Sequence, residues 1–182
     1  MCFFLTTMEA TSSQPNSTFR QFFLRALLLY GGWYILRAFI LTPYTHLDAW
    51  FIENIVNSNA WLLTNINHYT VYLVSTEAHG YLDAIFAQDA GGIKVGLECD
   101  GIGVISTFIL FILAFPGKNK LWYAVAGGLS VHLLNLLRVW VLTLLQVNYP
   151  SALDFNHKYT FNIIIYSFIF ALWYVYAKYF KK

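Results

Sequence analysis

Apolar residues gather in four long runs along this chain, and polar stretches separate the runs. The runs cover about residues 21–41, 99–115, 121–147 and 159–180. About 20 residues of α-helix cross the hydrocarbon core of a bilayer, and each run approaches or exceeds that length. The pattern predicts an all-α fold, a polytopic membrane helical bundle with about four spanning helices.

The stretch between the first two runs, residues 43–98, has a different pattern. Asparagines interrupt its apolar residues, so no apolar run of spanning length occurs there. From Asp48 to about Asn67 we predict an amphipathic helix that lies in the membrane interface. Residues 69–75 are rich in β-branched and aromatic residues and predict a short strand. A further spanning helix within residues 49–75 is the alternative that this pattern leaves open.

The composition agrees with a membrane protein. Hydrophobic residues make up 58% of the chain and charged residues 11%, whereas soluble domains have about 25% charged residues. We expect residues 1–20, which are polar, to be a disordered lead and residues 21–182 to form one membrane domain. The net charge of +2 is too small to indicate a nucleic acid partner. No metal-binding spacing of cysteines or histidines is present, so neither a metal site nor a cofactor is predicted.

Basic residues flank one end of the predicted bundle. They are Arg20, Lys118, Lys120, Lys178, Lys181 and Lys182. The loops at the other end carry only Lys94 and Lys158. Because positive charge collects on the cytoplasmic side, we expect the basic end to be cytoplasmic. Residues 43–98 and 151–158 are then extracytoplasmic.

Three chemically active side chains come to one depth in this topology. Cys99 begins the second predicted helix at the extracytoplasmic surface, and His157 lies just before the start of the last. At about 1.5 Å per residue, Arg138 lies about 25 Å along its helix from Leu121, in a hydrocarbon core about 30 Å thick. Three helices thus deliver a thiol, a guanidinium and an imidazole to one boundary. Cys2 lies on the other side, so we expect no disulfide between the two cysteines.

Together these groups suit nucleophilic catalysis. A thiol reacts as its thiolate, and a nearby cation such as Arg138 lowers the pKa of a thiol. Arg138 also suits an oxyanion, and His157 can carry a proton to a leaving amine. Asn135 lies one turn before Arg138 on the same helix face. We expect Asn135 either to orient Arg138 or to bind the backbone of a substrate.

Each of these residues also has a purely structural explanation. A lone cysteine often packs inertly, an arginine near an interface extends to the headgroups, and a loop histidine is usually solvated. Their common depth favours function for all three. We expect the charges of Glu98 and Asp100, which would oppose a thiolate, to face away from the sulfur. Arg37 should extend to the interface, and His132, which lies deeper, should bond to a neighbouring helix.

The order and spacing of these residues resemble the exosortase/archaeosortase family. The similarity rests on Cys99-Asp100-Gly101 opening one membrane helix, Asn135-Leu136-Leu137-Arg138 in the next, and His157 opening the last. It extends over roughly residues 97–179 and is strongest to the compact bacterial members.

The resemblance implies a membrane cysteine protease and transpeptidase of the bacterial inner (cytoplasmic) membrane, with its active site facing the extracytoplasmic side. Such enzymes cut a C-terminal sorting signal, which is a short motif, one membrane helix and a basic tail. They then transfer the exported protein to an acceptor at the cell surface. The expected partners are that exported protein and membrane lipid. By position, Cys99 would form the acyl thioester, while Arg138 and His157 would share proton donation and stabilisation of the transition state.

Two other classes of protein remain open from the residues alone. A membrane-bound acyltransferase would use the same cysteine and histidine on a lipid ester or thioester. A non-catalytic scaffold of an export system would keep the helices without the reactive groups. A lipid adduct on Cys99 would favour the acyltransferase, and an unreactive Cys99 would favour the scaffold.

Overall fold

Helices dominate the computed structural model, which describes residues 16–76, 82–88, 91–97 and 99–180. The helices are α1 (Asn16–Leu36), α2 (Thr42–Tyr44), α3 (Leu47–Asn65), α4 (Ile102–Ala114), α5 (Lys120–Asn148), α6 (Pro150–Phe155) and α7 (Phe161–Tyr179). The strands are β1 (Val71–Val74), β2 (Ala84–Ala87) and β3 (Ile93–Lys94). Two π-helical turns make longer continuous helices, Arg37–Leu41 between α1 and α2 and Asn156–Thr160 between α6 and α7.

Three continuous helices are long and apolar enough to cross a membrane, which confirms the predicted class of helical membrane protein. They are Phe19–Tyr44, Lys120–Asn148 and Pro150–Tyr179. The helix behind Cys99, α4, has only 13 residues. At about 1.5 Å per residue it is about 20 Å long, shorter than the hydrocarbon core of about 30 Å. The fourth crossing therefore stays a prediction.

The first helix begins earlier than the sequence pattern indicated. Residues 1–15 of the predicted lead lie outside the described residues, but α1 starts at Asn16, so residues 16–20 are helical rather than disordered. Asparagine, serine and threonine, which occupy residues 16–18, are the residue types that begin helices. The polar residues 16–18, which led us to predict a disordered lead, therefore form the start of α1.

The polar segment between α1 and α4 is a helix with a small sheet. The predicted helix and strand are confirmed as α3 and β1, and α3 is not among the three spanning helices in the described part of the chain. The sequence pattern did not predict β2 and β3, which complete an antiparallel sheet in the order β1-β2-β3. Val71 pairs with Ala87, and Ala84 pairs with Lys94. Both new strands are short, and β2 is buried on both faces, so neither shows the alternation of a half-buried strand.

Asp83 closes the connection between β1 and β2. Its carboxylate accepts hydrogen bonds from the backbone N–H of Thr76 (2.6 Å) and from the Thr76 hydroxyl (2.7 Å), and Lys94 Nζ lies 3.8 Å away. Burial acts to raise the pKa of Asp83, but these partners hold that pKa below its ordinary value. The connection is therefore stable above the ordinary pKa of an aspartate and weakens as the pH falls below it.

Two hydrophobic cores meet along α5. The sheet core consists of Ile52, Ile55, Val56, Leu63, Ile85, Val95 and Val139. The bundle core consists of Phe108, Ile112, Ala124, Val131, Ile165, Ile169 and Tyr176. Because α5 gives Val131 to one core and Val139 to the other, Asn135 and Arg138 lie where the two cores meet.

Contacts of α5 with its neighbours fix this arrangement. A side chain at Gly127 would place its Cβ 2.3 Å from the ring of Phe108, so only glycine allows α4 to pack this closely. His132 Nε2 lies 3.2 Å from Asn54 Oδ1 on α3, which confirms the predicted bond between helices. The helix that carries Asn135 and Arg138 is thus held by both α3 and α4.

Candidate active site

The structure brings Cys99 and His157 together, although 58 residues separate them along the chain. Cys99 Sγ lies 3.7 Å from His157 Nε2, within hydrogen-bonding distance for sulfur. Cys99 lies in the turn before α4, and its backbone N–H donates to the carbonyl of Gly96 (2.8 Å). His157 lies in the π-helical turn Asn156–Thr160. A neutral imidazole at this distance can accept the thiol proton, which is the arrangement that activates a nucleophilic cysteine.

Asn135 holds the turn that carries Cys99. Its side-chain N–H donates to the carbonyl oxygen of Cys99 at 2.9 Å, and the residue is only 3% exposed. Gly101 has a φ of +79°, and a Cβ there would lie 2.9 Å from Asn135 Nδ2. The glycine two residues after Cys99 is thus required both by the backbone conformation and by the approach of Asn135. The predicted substrate contact of Asn135 stays a prediction, because its described bond is to the protein's own backbone.

Replacing Gly101 with alanine should misplace Cys99 while leaving the bundle folded. A left-handed φ costs an L-residue about 1–2 kcal/mol, and the new methyl group would push the Asn135 amide away from the Cys99 carbonyl. Because small misplacements of catalytic groups cost up to about 100-fold, we expect processing of a substrate to fall by about tenfold or more. The matched control is Gly32→Ala, since a Cβ added at Gly32 would meet no atom within 4 Å. Wild-type processing by Gly101→Ala would contradict this role.

Arg138 is buried where the two cores meet. It is 9% exposed, and its Nε has no hydrogen-bond partner among the described residues. The hydrogen bonds described above for Cys99 and His157 do not include Arg138, so the predicted pairing of its guanidinium with the thiol stays a prediction. Buried polar groups are nearly always hydrogen-bonded, so the buried Nε of Arg138 is a candidate donor to a bound group. The role predicted for Arg138 stays a prediction.

Arg37, Asp48 and Asp100 form a charged cluster beside the turn that carries Cys99, and the sequence pattern did not predict it. Asp100 is 2% exposed. One of its oxygens accepts from the N–H of Ile102 (2.8 Å) and the other from Arg37 (3.2 Å). Arg37 also donates to Asp48 (3.0 Å). The expectation that Arg37 extends to the interface is wrong, because two carboxylates bind its guanidinium and the side chain is only partly exposed.

We expected Glu98 and Asp100, the acidic neighbours of Cys99, to face away from the sulfur, and the structure tests this for Asp100. Both oxygens of Asp100 bind groups other than the thiol, which agrees with that expectation. Glu98 lies outside the described residues. The bond from the Ile102 N–H to Asp100 could be predicted from the sequence, because an aspartate just before a helix often accepts from the first N–H groups of that helix. Nothing in the pattern of the chain pointed to Arg37 as its partner.

Two cavities lie beside the cysteine–histidine pair. A cavity of about 460 Å³ between α1, α4 and α7 is lined by residues that flank Cys99, including Leu97, Asp100 and Gly101. His157 lines a smaller cavity of about 250 Å³, together with Lys94 and Asp154. Most of the lining of the larger cavity is apolar and aromatic, which suits a hydrophobic segment of a ligand.

No group of three or more histidine, cysteine, aspartate or glutamate side chains forms a metal site among the described residues. The comparisons with known proteins give no relative: no family model, no curated protein and no solved structure matches this chain. The chemistry of this site therefore has to be inferred from its own geometry.

Proposed function

We propose that this protein is a membrane-embedded cysteine transpeptidase of the exosortase type. It would cleave a C-terminal sorting signal on exported proteins and transfer them to an acceptor at the cell surface. The observation that carries the proposal is the distance of 3.7 Å between Cys99 Sγ and His157 Nε2. A thiol and an imidazole at this separation, delivered by two different helices, suit covalent acyl transfer.

The first half of the reaction breaks a peptide bond. His157 takes the proton from the Cys99 thiol, and the thiolate attacks the carbonyl carbon of the scissile bond. The C–N bond breaks, His157 gives its proton to the leaving amine, and an acyl thioester remains on Cys99. In the second half, the nucleophile of an acceptor attacks the thioester and returns the proton through His157 to the thiol. Water in place of the acceptor would give simple hydrolysis.

Arg138 would stabilise the negative oxygen that forms during both halves. Its burial at the meeting point of the two cores supports this role, as does the lack of an acceptor for its Nε among the described residues. A guanidinium in a site poor in water interacts strongly with an oxyanion. Asn135, one turn earlier on α5, places the Cys99 carbonyl on the same face of that helix.

The large cavity supports a substrate with an apolar segment. It lies between membrane helices, it adjoins Leu97 and Asp100 on either side of Cys99, and aromatic residues of α7 such as Trp173 line it. A hydrophobic segment next to the scissile bond would fit there. A genomic search should show whether neighbouring reading frames end in a short motif, one apolar helix and a basic cluster.

The proposed topology has four spans, with both chain ends in the cytoplasm. The loop between α4 and α5 and the end of α7 lie at one end of the protein, because the Lys118 N–H donates to the Phe180 carbonyl (3.1 Å) and the Tyr176 hydroxyl donates to the Lys118 carbonyl (3.1 Å). The sheet with Asp83 packs against α3 and α5, on the other side of the bundle core.

Labelling of single introduced cysteines tests this topology. We expect positions 118 and 182 to be accessible only from the cytoplasm and position 83 only from the extracytoplasmic side, because most of the basic residues flank the first end. The labelling would be done in intact cells and in inverted vesicles with a reagent that does not cross membranes. Cytoplasmic labelling at position 83 would contradict the four-span topology and the outward-facing site.

A further inference from the structure

Both π-helical turns of the described chain carry a charged or titratable residue beside Cys99. His157 lies in Asn156–Thr160, and Arg37 begins Arg37–Leu41. Such turns are rare and occur often at functional sites, because the widened turn redirects a side chain. The turn at His157 has a role in the proposed function, whereas the turn at Arg37 has none so far.

The turn at Arg37 links three elements at the base of the Cys99 loop. The Arg37 guanidinium lies 3.2 Å from Asp100 on one side and 3.0 Å from Asp48 of α3 on the other. The second oxygen of Asp100 accepts the Ile102 N–H at the start of α4. Asp100 is therefore held at both of its oxygens, and it is bonded directly to Cys99 through the chain.

Elsewhere α1 packs loosely. No residue from 19 to 44 is buried. At its other end α1 touches α4 through the ring of Phe22, which packs on Phe111 and Phe115 with centroid distances of 5.4 and 5.7 Å. The bonds from Arg37 to Asp48 and Asp100, with a longer one from the Thr42 hydroxyl to Asp48 (3.4 Å), are the polar contacts described between the continuous helix Phe19–Tyr44 and this region.

We propose that Arg37 and Asp100 are positioning residues that hold Cys99 opposite His157. This proposal rests on the proposed function, since it assigns the pair a role in aligning its nucleophile. Without Arg37, the Asp100 carboxylate would be a buried charge without its cation, which is strongly unfavourable. The carboxyl would then take up a proton or turn outward, and either change would lose one of the two bonds that fix Asp100 and let the adjacent Cys99 move away from His157. Either change raises the pKa of the Cys99 thiol.

The test measures the alkylation rate of Cys99 by iodoacetamide against pH, in purified full-length protein in detergent. A Cys2→Ser background leaves Cys99 as the only thiol. In the wild-type protein we expect the alkylation rate to rise with a midpoint well below pH 8.5, which is about the pKa of an ordinary thiol. We expect His157→Gln to return that midpoint to the ordinary value. Arg37→Gln and Asp100→Asn should each move the midpoint toward the ordinary value and lower the rate at pH 6.5 by about tenfold or more.

Two further variants separate positioning from a general structural role. Arg25→Gln removes a charge from an exposed position on the same helix and should keep the wild-type profile. Arg37→Lys keeps the charge but replaces the guanidinium nitrogen Nη2, which donates to both carboxylates, with an ammonium of different shape and reach. This variant should fold well and show an intermediate midpoint. The rates are compared only for monodisperse protein with a cooperative thermal transition.

Each outcome decides the proposal. Folded Arg37→Gln, Arg37→Lys and Asp100→Asn variants with the wild-type profile would overturn it, because the network would then serve folding alone. A wild-type thiol with an ordinary profile that His157→Gln does not change would also overturn it. Failure of the proposed function looks different, since the protein would then not process a substrate even though the Cys99 profile is shifted and depends on Arg37.

Discussion

Replacing Cys99 with alanine should abolish processing of an exported substrate while the protein stays folded in the membrane. The thiolate would be the nucleophile, so no acyl thioester can form without it. The two described bonds that hold this turn, from the Cys99 N–H to Gly96 and from Asn135 to the Cys99 carbonyl, use only the backbone of residue 99. Alanine keeps both. Cys99→Ser should be nearly as inactive, because a hydroxyl ionises at far higher pH than a thiol.

The measurement is the conversion of a co-expressed exported protein that ends in a short motif, one apolar helix and a basic tail. Conversion is followed as loss of the C-terminal segment and is expressed per molecule of folded enzyme. Cys2→Ser is the matched control and should keep full activity, since we expect Cys2 on the opposite side of the membrane. Full conversion by Cys99→Ala would rule out the nucleophile role.

Replacing Arg138 with lysine should cost about 100-fold in turnover, the usual loss when one donor to an oxyanion is removed. Lysine keeps the positive charge and reaches a similar depth, but it lacks the planar fork of arginine. Expression and membrane insertion should therefore stay normal. If Arg138 serves only to place a charge near the interface, the lysine variant should instead be close to wild type.

Single-turnover measurements with the same substrate would give the rate of the chemical step in the Arg138→Lys variant. Arg25→Lys is the matched control, because it makes the same substitution at an exposed position of α1. A wild-type rate for Arg138→Lys would return Arg138 to a structural role. It would also leave Cys99 and His157 as a pair without an oxyanion donor.

The meeting of Cys99 and His157 could be predicted because it depends on the ends of long apolar runs. About 20 residues of helix cross the hydrocarbon core, so the sequence could place Cys99 and His157 at similar depths. The predicted polar loop at residues 151–158 is nevertheless wrong, because His157 lies inside the continuous helix Pro150–Tyr179 rather than before its start. The same rule predicts that Arg138 reaches the depth of this pair, which stays a prediction. It could not give the rotation of α5, and for that reason it did not show that Asn135 donates to the backbone of Cys99.

The sheet and the Arg37 network could not be predicted from the pattern, for different reasons. Strand β3 has only two residues, too few for any alternation to appear. Arg37 and Asp100 are 63 residues apart, and a single arginine near a helix end has the same sequence pattern whether it meets lipid headgroups or a buried carboxylate. Only the contacts of Arg37 with Asp48 of α3 and with Asp100 before α4 decide between the two.

The central claim is that Cys99 carries an acyl group taken from an exported protein. Mass spectrometry of the purified enzyme after brief co-expression with substrate tests it most directly, with hydroxylamine release to identify a thioester. We predict a peptide-derived acyl group on Cys99 that hydroxylamine removes and that is absent in Cys99→Ala. A fatty acyl group on Cys99 would indicate the acyltransferase instead. A Cys99 that stays unmodified in the presence of substrate and does not react with iodoacetamide would contradict the account.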